Sequence, residues 1–424
     1  MKANLKDKTI CVYDYGLFLS LAITLAPYFK KVYYFTPWKT AYPKLNDQWI
    51  GDGLEDEGVY RINDFWDHIE EYDCVAFPDI LDGDLQLELE ALDIPVWGSK
   101  KGEELEMNRV DTKKWLKKHG FPVYHYEVIK GISAVKKYLE ENKGTHFIKI
   151  DTFRGTFETF KAKSLIQVNA KFDELARTLG PYQEKVDFII EDALDDDDVV
   201  ELAYDGYTVD GQYPDETIFG YEVKGLGYIG TVKKYDKLPD FIKKLNAAIA
   251  PEFKKYQYRN FCPPEIRVGK NTEATMIDWC TRFPSPPSEI YHVIIDNLAE
   301  IVYYGAQGKL IQPEYKAKYA MEAVVHSDWA EKEWQEISFP KEIKEWIKLR
   351  NFCKVDGRYY IVPYGDGSTT IGAVVAIGDS LDECHKKLKS YADKLDGYRL
   401  DIEVDAIDRA YEYIEKGKKL GIEF

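Results

Sequence analysis

Strand-like and helix-like segments alternate through the first hundred residues, and this alternation constrains the fold more than any other feature of the sequence. The strand candidates are TICVYDY, KVYYFTP, CVAFPD and IPVWGS, with helix candidates at LFLSLAITLAPYF and FWDHIEEY between them. Strands that alternate with helices along a chain are typical of a parallel sheet covered by helices. We therefore predict an amino-terminal α/β domain over residues 1–100.

Beyond residue 100 the predicted elements follow an α+β pattern. A helix is predicted over residues 102–119, and a strand, a helix and two more strands follow it, the last at DFIIEDAL. The chain changes character again at LIQPEYKAKY, after which strands and two helices predict a small carboxyl-terminal α+β domain. A chain of 424 residues is also too long for one ordinary hydrophobic core, which agrees with several domains.

Charge and cysteine usage exclude some classes of protein. A net charge of -17 argues against a main role in binding nucleic acid, because neutralising phosphates needs a basic surface. The six cysteines form no CxxC pair and no apolar signal segment opens the sequence, so we expect a cytoplasmic protein. The apolar stretch GLFLSLAITLA is short, so a buried helix is expected there rather than a membrane span.

The segment from Glu265 to Arg282 combines two acids and an arginine on a predicted β-hairpin. Strands EIRV and ATMIDW flank the turn GKNTE, so Glu265 and Asp278 are expected side by side. Neighbouring carboxylates repel each other, and a Mg²⁺ ion that bridges nucleotide phosphates relieves this repulsion. Arg282 would then reach a phosphate or acyl-phosphate oxygen. An acidic, solvated hairpin with an arginine at its rim explains the spacing equally well.

Two further segments have a functional and a plain structural interpretation. Lys149 precedes the turn TFRGTFETF, an arrangement that suits the covering of phosphates, although this segment taken alone is better explained by a surface lysine at a strand end. The acidic run Asp195–Asp198 lacks the glycine and the final glutamate of an EF-hand, so a solvated turn is expected.

Taken together, these segments resemble the ATP-grasp superfamily and, more narrowly, the glycinamide ribonucleotide synthetases, which are phosphoribosylamine:glycine ligases. The similar stretches include LEMNRVDTKKWLKKHGFPV, FIKIDTFRG, FIIEDALDDDD and TTIGAVVAIGDSLDECHKKLKSYADKLDGYRLD. The resemblance covers nearly the whole chain. It implies an ATP-grasp fold in three domains: an α/β substrate domain (1–100), the nucleotide-binding and catalytic region (101–315, with a lid over about 122–190) and the α+β domain (316–424).

The resemblance also implies which residues bind ATP. Lys149 would contact the phosphates, and so would Arg109, which stands where the family has a lysine. The other contacts implied in this way are Arg154 and Gly155 in the phosphate loop, Glu191 and the backbone through Leu194 at adenine, and Asp198 at ribose.

The catalytic residues implied by the resemblance are those of the hairpin. Glu265 and Asp278 would be Mg²⁺ ligands, with Mn²⁺ as a possible substitute, and Arg282 would stabilise charge on the transferred phosphoryl group. The chain departs from the family at Cys280, where an asparagine is usual, and in a loop whose only glycine is Gly155. It also departs at the turn DYGLFLS, which has no basic side chain.

These observations predict an ATP- and Mg²⁺-dependent ligase that joins a carboxylate to an amine through an acyl phosphate. The resemblance implies glycine as the carboxylate. It also implies a phosphoribosylamine-like or other nucleotide or sugar amine as the acceptor, in part because Asp79 is retained. The alternatives are a nucleotide-binding protein that no longer catalyses ligation and a structural protein with the same fold. We expect a monomer or homodimer without membrane or nucleic-acid partners.

Overall fold

The computed structural model describes residues 5–37, 48–151, 159–193, 199–270, 272–363 and 369–424. The chain forms two compact units, and both are discontinuous in sequence. The first unit contains Met1–Glu103, Glu201–Pro264 and Cys280–Phe424, and the second contains Glu104–Val200 and Glu265–Trp279. The three-domain division of the sequence stays a prediction.

The helices, in chain order, are α1 (Leu19–Leu25), α2 (Gly83–Ala91), α3 (Glu104–Met107), α4 (Arg109–Lys118), α5 (Ile132–Glu141), α6 (Leu165–Leu179), α7 (Asp240–Lys255), α8 (Ser288–Ile294), α9 (Leu298–Ala306), α10 (Leu381–Ala392) and α11 (Ala406–Lys419). The strands of the first half are β1 (Thr9–Tyr13), β2 (Lys31–Phe35), β3 (Val59–Arg61), β4 (Cys74–Ala76), β5 (Val96–Trp97), β6 (Tyr126–Lys130), β7 (His146–Ile150), β8 (Thr159–Ala162), β9 (Asp187–Asp192), β10 (Val199–Asp205) and β11 (Tyr207–Val209). Those of the second half are β12 (Glu216–Val223), β13 (Gly227–Lys234), β14 (Arg259–Phe261), β15 (Pro264–Gly269), β16 (Thr272–Trp279), β17 (Tyr319–His326), β18 (Gln335–Ser338), β19 (Ile347–Leu349), β20 (Phe352–Val355), β21 (Arg358–Ile361), β22 (Thr370–Gly378), β23 (Asp396–Gly397) and β24 (Asp401–Ile402).

The amino-terminal part of the first unit is a sheet of five parallel strands in the order β3-β2-β1-β4-β5. Its central strand is buried from Thr9 to Val12, as expected for an apolar strand inside a parallel sheet. The predicted parallel α/β sheet is confirmed. The predicted helix FWDHIEEY is a 3₁₀ helix (Trp66–Glu71), and the sequence analysis did not identify β3 or α2.

The remainder of the first unit is built around an antiparallel sheet in which β10, β12, β13, β17, β22 and β19 follow one another. Helix α10 packs on β17 and β22, and α11 packs on β12 and β13. Both helices were predicted from the sequence. Helix α10 begins where the Ser380 hydroxyl accepts a hydrogen bond from the backbone nitrogen of Glu383, which is a standard helix N-cap.

The second unit contains an antiparallel sheet in the order β6-β9-β7-β8, with α5 and α6 packed on one face. The buried residues of this core are Ile132, Val135, Leu139, Ile148, Ile150, Ala162, Val168, Phe172, Leu175, Phe188 and Ile190. The unit also contains α3, α4 and the hairpin of β15 and β16, which confirms the hairpin predicted around GKNTE.

The helix predicted over residues 102–119 is interrupted. A 3₁₀ turn (Lys100–Glu103) comes first, and α4 begins only after Asn108, whose φ of -109° and ψ of 76° are not helical. Asparagine is favoured at such an N-cap position. The backbone nitrogen of Val110 donates to Asp151 Oδ1 at 2.8 Å, which satisfies one of the amide groups that a helix start leaves without an intrahelical acceptor.

Within the described ranges, none of the helices is both long enough and apolar enough to cross a lipid bilayer. All six cysteines carry free thiols, and five of them are buried.

Candidate functional site

Lys149 lies at the centre of a group of charged side chains in the second unit. Its Nζ is 3.0 Å from Asp278 Oδ2, on β16, and 3.1 Å from Glu191 Oε2, on β9. Lys149 is only 5% exposed. Two residues predicted separately as a phosphate ligand and a metal ligand are therefore in direct contact.

Helix α4 contributes two more cations to this group. Arg109 Nε is 3.4 Å from Asp278 Oδ1, and its Nη1 donates to the backbone oxygen of Ile150 at 2.5 Å. Lys113, one helical turn further on, forms an ion pair with Glu191. Positions four apart lie on one face of a helix, so α4 presents both cations in the same direction.

Successive residues of a strand point to opposite faces of a sheet, which explains why the sheet β6-β9-β7-β8 has charged side chains on one face. Ile148 and Ile150 belong to the apolar core under α5 and α6, so Lys149 between them points to the opposite face. Ile190 belongs to the same core, so Glu191 also points away from it. The residues paired across β7 and β9 are Lys149 with Ile189 and Phe147 with Glu191.

The electrostatics of the group keep Lys149 and Glu191 ionised. Burial acts to lower the pKa of Lys149, but the carboxylates of Asp278 and Glu191 outweigh burial and raise it. Burial acts to raise the pKa of Glu191, but Lys149 and Lys113 lower it. Three cations thus contact two carboxylates, and Asp151 acts on Arg109 from further away. Cations gathered in this way suit an anion.

Lys113 was missed by the sequence analysis. The usable signal was its spacing of four residues from Arg109 on a predicted helix. Of the other predicted residues, Glu265 lies half-buried on β15, while Arg154, Gly155, Leu194 and Asp198 lie outside the described residues.

Arg282 belongs to the first unit, where its Nη1 is 3.0 Å from Asp79 Oδ1. Asp79 follows strand β4, so the structure joins two residues that were singled out independently and are 203 positions apart. Cys280 is half-buried, and its thiol donates to the backbone oxygen of Arg282 at 3.8 Å. This contact suits a packing role for Cys280 in the turn that carries Arg282.

More carboxylates lie near Asp79, at the carboxyl end of the parallel sheet. The strand order reverses between β1 and β4, and ligands of open parallel sheets bind at such a position. Asp14 follows β1, while Asp82 and Glu103 lie close to the loop after β4. Burial raises the pKa of Asp14 to about 7, of Asp82 to about 6 and of Glu103 to about 7.

Asp14 is fully buried, and one of its oxygens is satisfied. Its Oδ2 accepts hydrogen bonds from the backbone nitrogens of Gly16 at 3.0 Å and Phe18 at 2.9 Å and from the Tyr34 hydroxyl at 2.8 Å. Its Oδ1 has no hydrogen-bond partner within the described part of the chain. The position of Asp14 directly after a buried strand was the signal that the sequence analysis did not use.

Gly16 has a structural reason to be glycine. Its φ is +102°, and an added Cβ would lie 2.2 Å from Asn351 Oδ1, so a side chain does not fit. The turn DYGLFLS is therefore closed by the side chain of Asn351.

No group of three or more histidine, cysteine, aspartate or glutamate residues suited to hold a metal ion occurs among the residues that the structure describes. A cation held by Glu265 and Asp278 would therefore need further oxygen ligands from a bound substrate or from water.

No protein-family model matches the sequence, and no curated protein sequence is significantly similar to it. Solved structures are similar over nearly the whole chain. The Thermotoga maritima phosphoribosylamine-glycine ligase has a TM-score of 0.68 at 16% identity, covering 93% of this chain and 98% of its own. The biotin carboxylase domain of Hydrogenobacter thermophilus 2-oxoglutarate carboxylase, in complex with MgADP, ADP and bicarbonate, has a TM-score of 0.67 at 10% identity, with coverages of 97% and 98%. A Bacillus licheniformis L-amino acid ligase has a TM-score of 0.59 at 14% identity, with coverages of 93% and 99%.

These similarities confirm the predicted ATP-grasp fold, with its amino-terminal parallel sheet. They also confirm, at the level of fold, the resemblance to phosphoribosylamine-glycine ligase. At identities of 10–16%, these similarities show the fold and do not show the activity.

Proposed function

We propose that this protein with the ATP-grasp fold is an ATP- and Mg²⁺-dependent ligase that joins a carboxylate to an amine through an acyl phosphate. The observation that carries the proposal is the buried group of Arg109, Lys113 and Lys149 around Asp278 and Glu191. Buried cations in excess over acids suit a triphosphate. Three of the structurally similar proteins are a phosphoribosylamine-glycine ligase, an L-amino acid ligase and an ADP-bound carboxylase domain.

The ion pairs of this group suggest how the protein takes up ATP. Lys149 and Arg109 exchange Asp278 for phosphate oxygens, which are stronger acceptors because they carry more charge. Asp278 is thereby released from both cations. Glu191 keeps its ion pair with Lys113 and stays at the adenine end, the position given to it by the resemblance.

The acids on the hairpin fit a magnesium ion by their chemistry. Asp278 and Glu265 offer carboxylate oxygens, the ligand type that Mg²⁺ prefers, and Cys280 offers only soft sulfur. The bound ion would supply charge neutralisation for the phosphates. Mn²⁺ accepts the same ligands and is a possible substitute.

The first unit would bind and orient the amine. The carboxylates of Asp14, Asp79 and Asp82 favour a positively charged amino group at the carboxyl end of the parallel sheet. The turn DYGLFLS has no basic side chain, so an acceptor with a phosphate would need to place that phosphate elsewhere. Glycine remains the proposed carboxylate, and the acceptor is a phosphoribosylamine-like or other nucleotide or sugar amine.

The reaction follows from these assignments. A carboxylate oxygen of the first substrate attacks the γ-phosphorus, the bond to ADP breaks, and an acyl phosphate forms. The amine nitrogen then attacks the acyl carbon, and the bond to phosphate breaks as the amide forms. Arg282 stabilises the negative charge of the acyl phosphate, and Asp79 orients the amine and accepts its proton.

A second candidate function is nucleotide binding without ligation. It is favoured by Asp278, because both of its carboxylate oxygens are engaged by cations, Oδ2 by Lys149 and Oδ1 by Arg109. If these ion pairs persist when nucleotide binds, Asp278 is not free to hold a metal ion.

Phosphate release from ATP and Mg²⁺ distinguishes the two functions. The assay supplies glycine with phosphoribosylamine generated in place, beside a panel of other amines with and without phosphate groups. Turnover that requires both a carboxylate and an amine supports the ligase, and the productive amine identifies the acceptor. ADP binding measured by calorimetry without turnover on any pair would favour the second candidate, and absence of ADP binding would contradict both.

A further inference from the structure

A cavity of about 350 Å³ lies in the first unit, apart from the residues assigned above to ATP, metal or amine. It is bounded by helix α1, the end of α8 and strand β19. Its wall is largely apolar and includes Ile23, Leu298, Ile347, Phe339 and Phe352. Cavities of this size accommodate small organic molecules.

The cavity contains a lysine that has no acidic partner in contact with it. Lys348 lines the cavity and is only 8% exposed, and its side chain forms no hydrogen bond or ion pair within the described part of the chain. The acids that act on it from further away are Glu345, which is exposed, and Glu289, which is paired with Arg350. A buried ammonium group without a partner is unfavourable, so this position needs an explanation.

The other two lysines at the cavity are paired with acids, and the exposed acid Glu345 also lines the cavity without contacting Lys348. Lys344 Nζ is 2.8 Å from Glu57 Oε1, and Lys316 Nζ is 3.8 Å from Asp296 Oδ1. Of these three lysines that line the described cavity, Lys348 is therefore the one that has no acid in contact with it. Burial lowers the pKa of Lys348 to about 8, so the amine is still largely charged at neutral pH.

His292 adds a second polar group without a complete set of partners. Its Nδ1 is 3.3 Å from the Ser20 hydroxyl, and its Nε2 has no hydrogen-bond partner in the described ranges. Burial lowers the pKa of His292, so its ring is neutral. When Nδ1 accepts from Ser20, Nε2 carries the proton and is a donor at the wall of the cavity.

We propose that this cavity binds a small organic anion, with its carboxylate on Lys348 and its apolar body between the aliphatic and aromatic side chains of the wall. A carboxylate gives the Lys348 ammonium group the contact partner that it lacks, and the apolar body replaces water on the wall. The site shares no residue with the proposed catalytic groups, so it stands independently of the ligase proposal.

The probes for this site are octanoate and 2-naphthoate, each compared with its neutral amide by isothermal titration calorimetry. We expect the carboxylates to bind the intact protein and the amides to bind more weakly. In Lys348→Met, which keeps the length of the side chain without its charge, carboxylate affinity should fall about tenfold to a hundredfold. The control Lys389→Met, at an exposed lysine on α10, should leave affinity unchanged.

Thermal unfolding provides a second readout that does not depend on a tight complex. Without ligand, Lys348→Met should be at least as stable as the original protein, because an unpaired buried charge has been removed. Octanoate should raise the melting temperature of the original protein and not that of the variant. Equal carboxylate affinity in both proteins, or no binding of either probe at millimolar concentration, would overturn the proposal.

Discussion

Lys149 is a buried cation whose charge is stabilised by carboxylates from two other strands. The variant Lys149→Met should lose most of its affinity for ADP, because the residue assigned to the phosphates is gone. Its unfolding free energy should also fall by about 3 kcal/mol, because Asp278 and Glu191 each lose their ion pair with Lys149. Calorimetry with ADP and urea denaturation measure the two effects.

The matched control for this variant is Lys136→Met on α5. Lys136 pairs with Asp173, which is exposed, so its loss should change stability by less than about 1 kcal/mol. Unchanged ADP affinity in Lys149→Met would contradict the assignment of Lys149.

Asp278 is the residue on which the metal assignment depends. Asp278→Asn keeps the shape of the side chain but loses its charge, so we expect phosphate release to fall about a hundredfold or more. Circular dichroism should remain unchanged. The control Asp173→Asn removes an exposed acid of the same unit and should retain full activity. A fully active Asp278→Asn would refute the metal site.

Among single residues, the resemblance to a known family identified more of the charged group than sequence spacing alone could. Lys149, Asp278, Glu191 and Arg109 were named from the sequence, and the structure brings them together. Lys113 was not named, because its spacing of four residues from Arg109 was the one local signal for it and was not used. Its partner Glu191 is 78 positions away, and such a contact is set by the fold.

Among the elements, the start of α4 is the one that positions site residues most directly. Asp151 accepts from the backbone nitrogen of Val110, and Arg109 is the neighbouring residue. Asp151→Ala should lower the unfolding free energy by about 1 kcal/mol, the usual effect of losing a helix cap. It should also weaken ADP binding, because Arg109 is less firmly held. An effect on stability without any effect on binding would separate Asp151 from the site.

The same element shows where sequence periodicity stops being informative. The pattern over residues 102–119 predicts one helix, and the structure has a 3₁₀ turn, a short helix and then α4. No glycine or proline stands between Glu103 and His119, so the local sequence has no helix breaker at the interruption. The hydrogen bond that Asp151, which is remote in sequence, accepts from the backbone nitrogen of Val110 supports the new helix start.

For the molecule as a whole, buried acids make stability depend on pH. The folded pKa of Asp14 is about 7, whereas an unfolded aspartate has a pKa of about 3.9. Its contribution is fully present below about pH 4 and is lost as pH rises through 7, by at most about 4 kcal/mol. Asp82, Glu103 and Asp205 have pKa values raised in the same direction.

The expected result is a higher unfolding midpoint in urea at pH 5.5 than at pH 8. Asp14→Asn cannot ionise, so its stability should decline less over this interval than that of the original protein. An identical pH profile in the two proteins would show that Asp14 titrates normally in the folded state.

The division into units could not be read from local sequence. Periodicity identified the hairpin of β15 and β16, but it gave no reason to group these strands with residues more than sixty positions earlier. Such grouping depends on long-range packing, which single-sequence patterns do not encode. The fold class was predictable because alternating strands and helices are a local feature.

The discontinuous second unit has a consequence during synthesis of the chain. Lys149 leaves the ribosome 129 residues before Asp278, its partner on the hairpin. At typical elongation rates this interval is roughly ten seconds, which is long compared with the formation of helices and hairpins. Throughout that time the nascent unit holds its lysine strand without one of its two carboxylates. A growing chain is therefore unable to complete the charged cluster until translation has passed the hairpin.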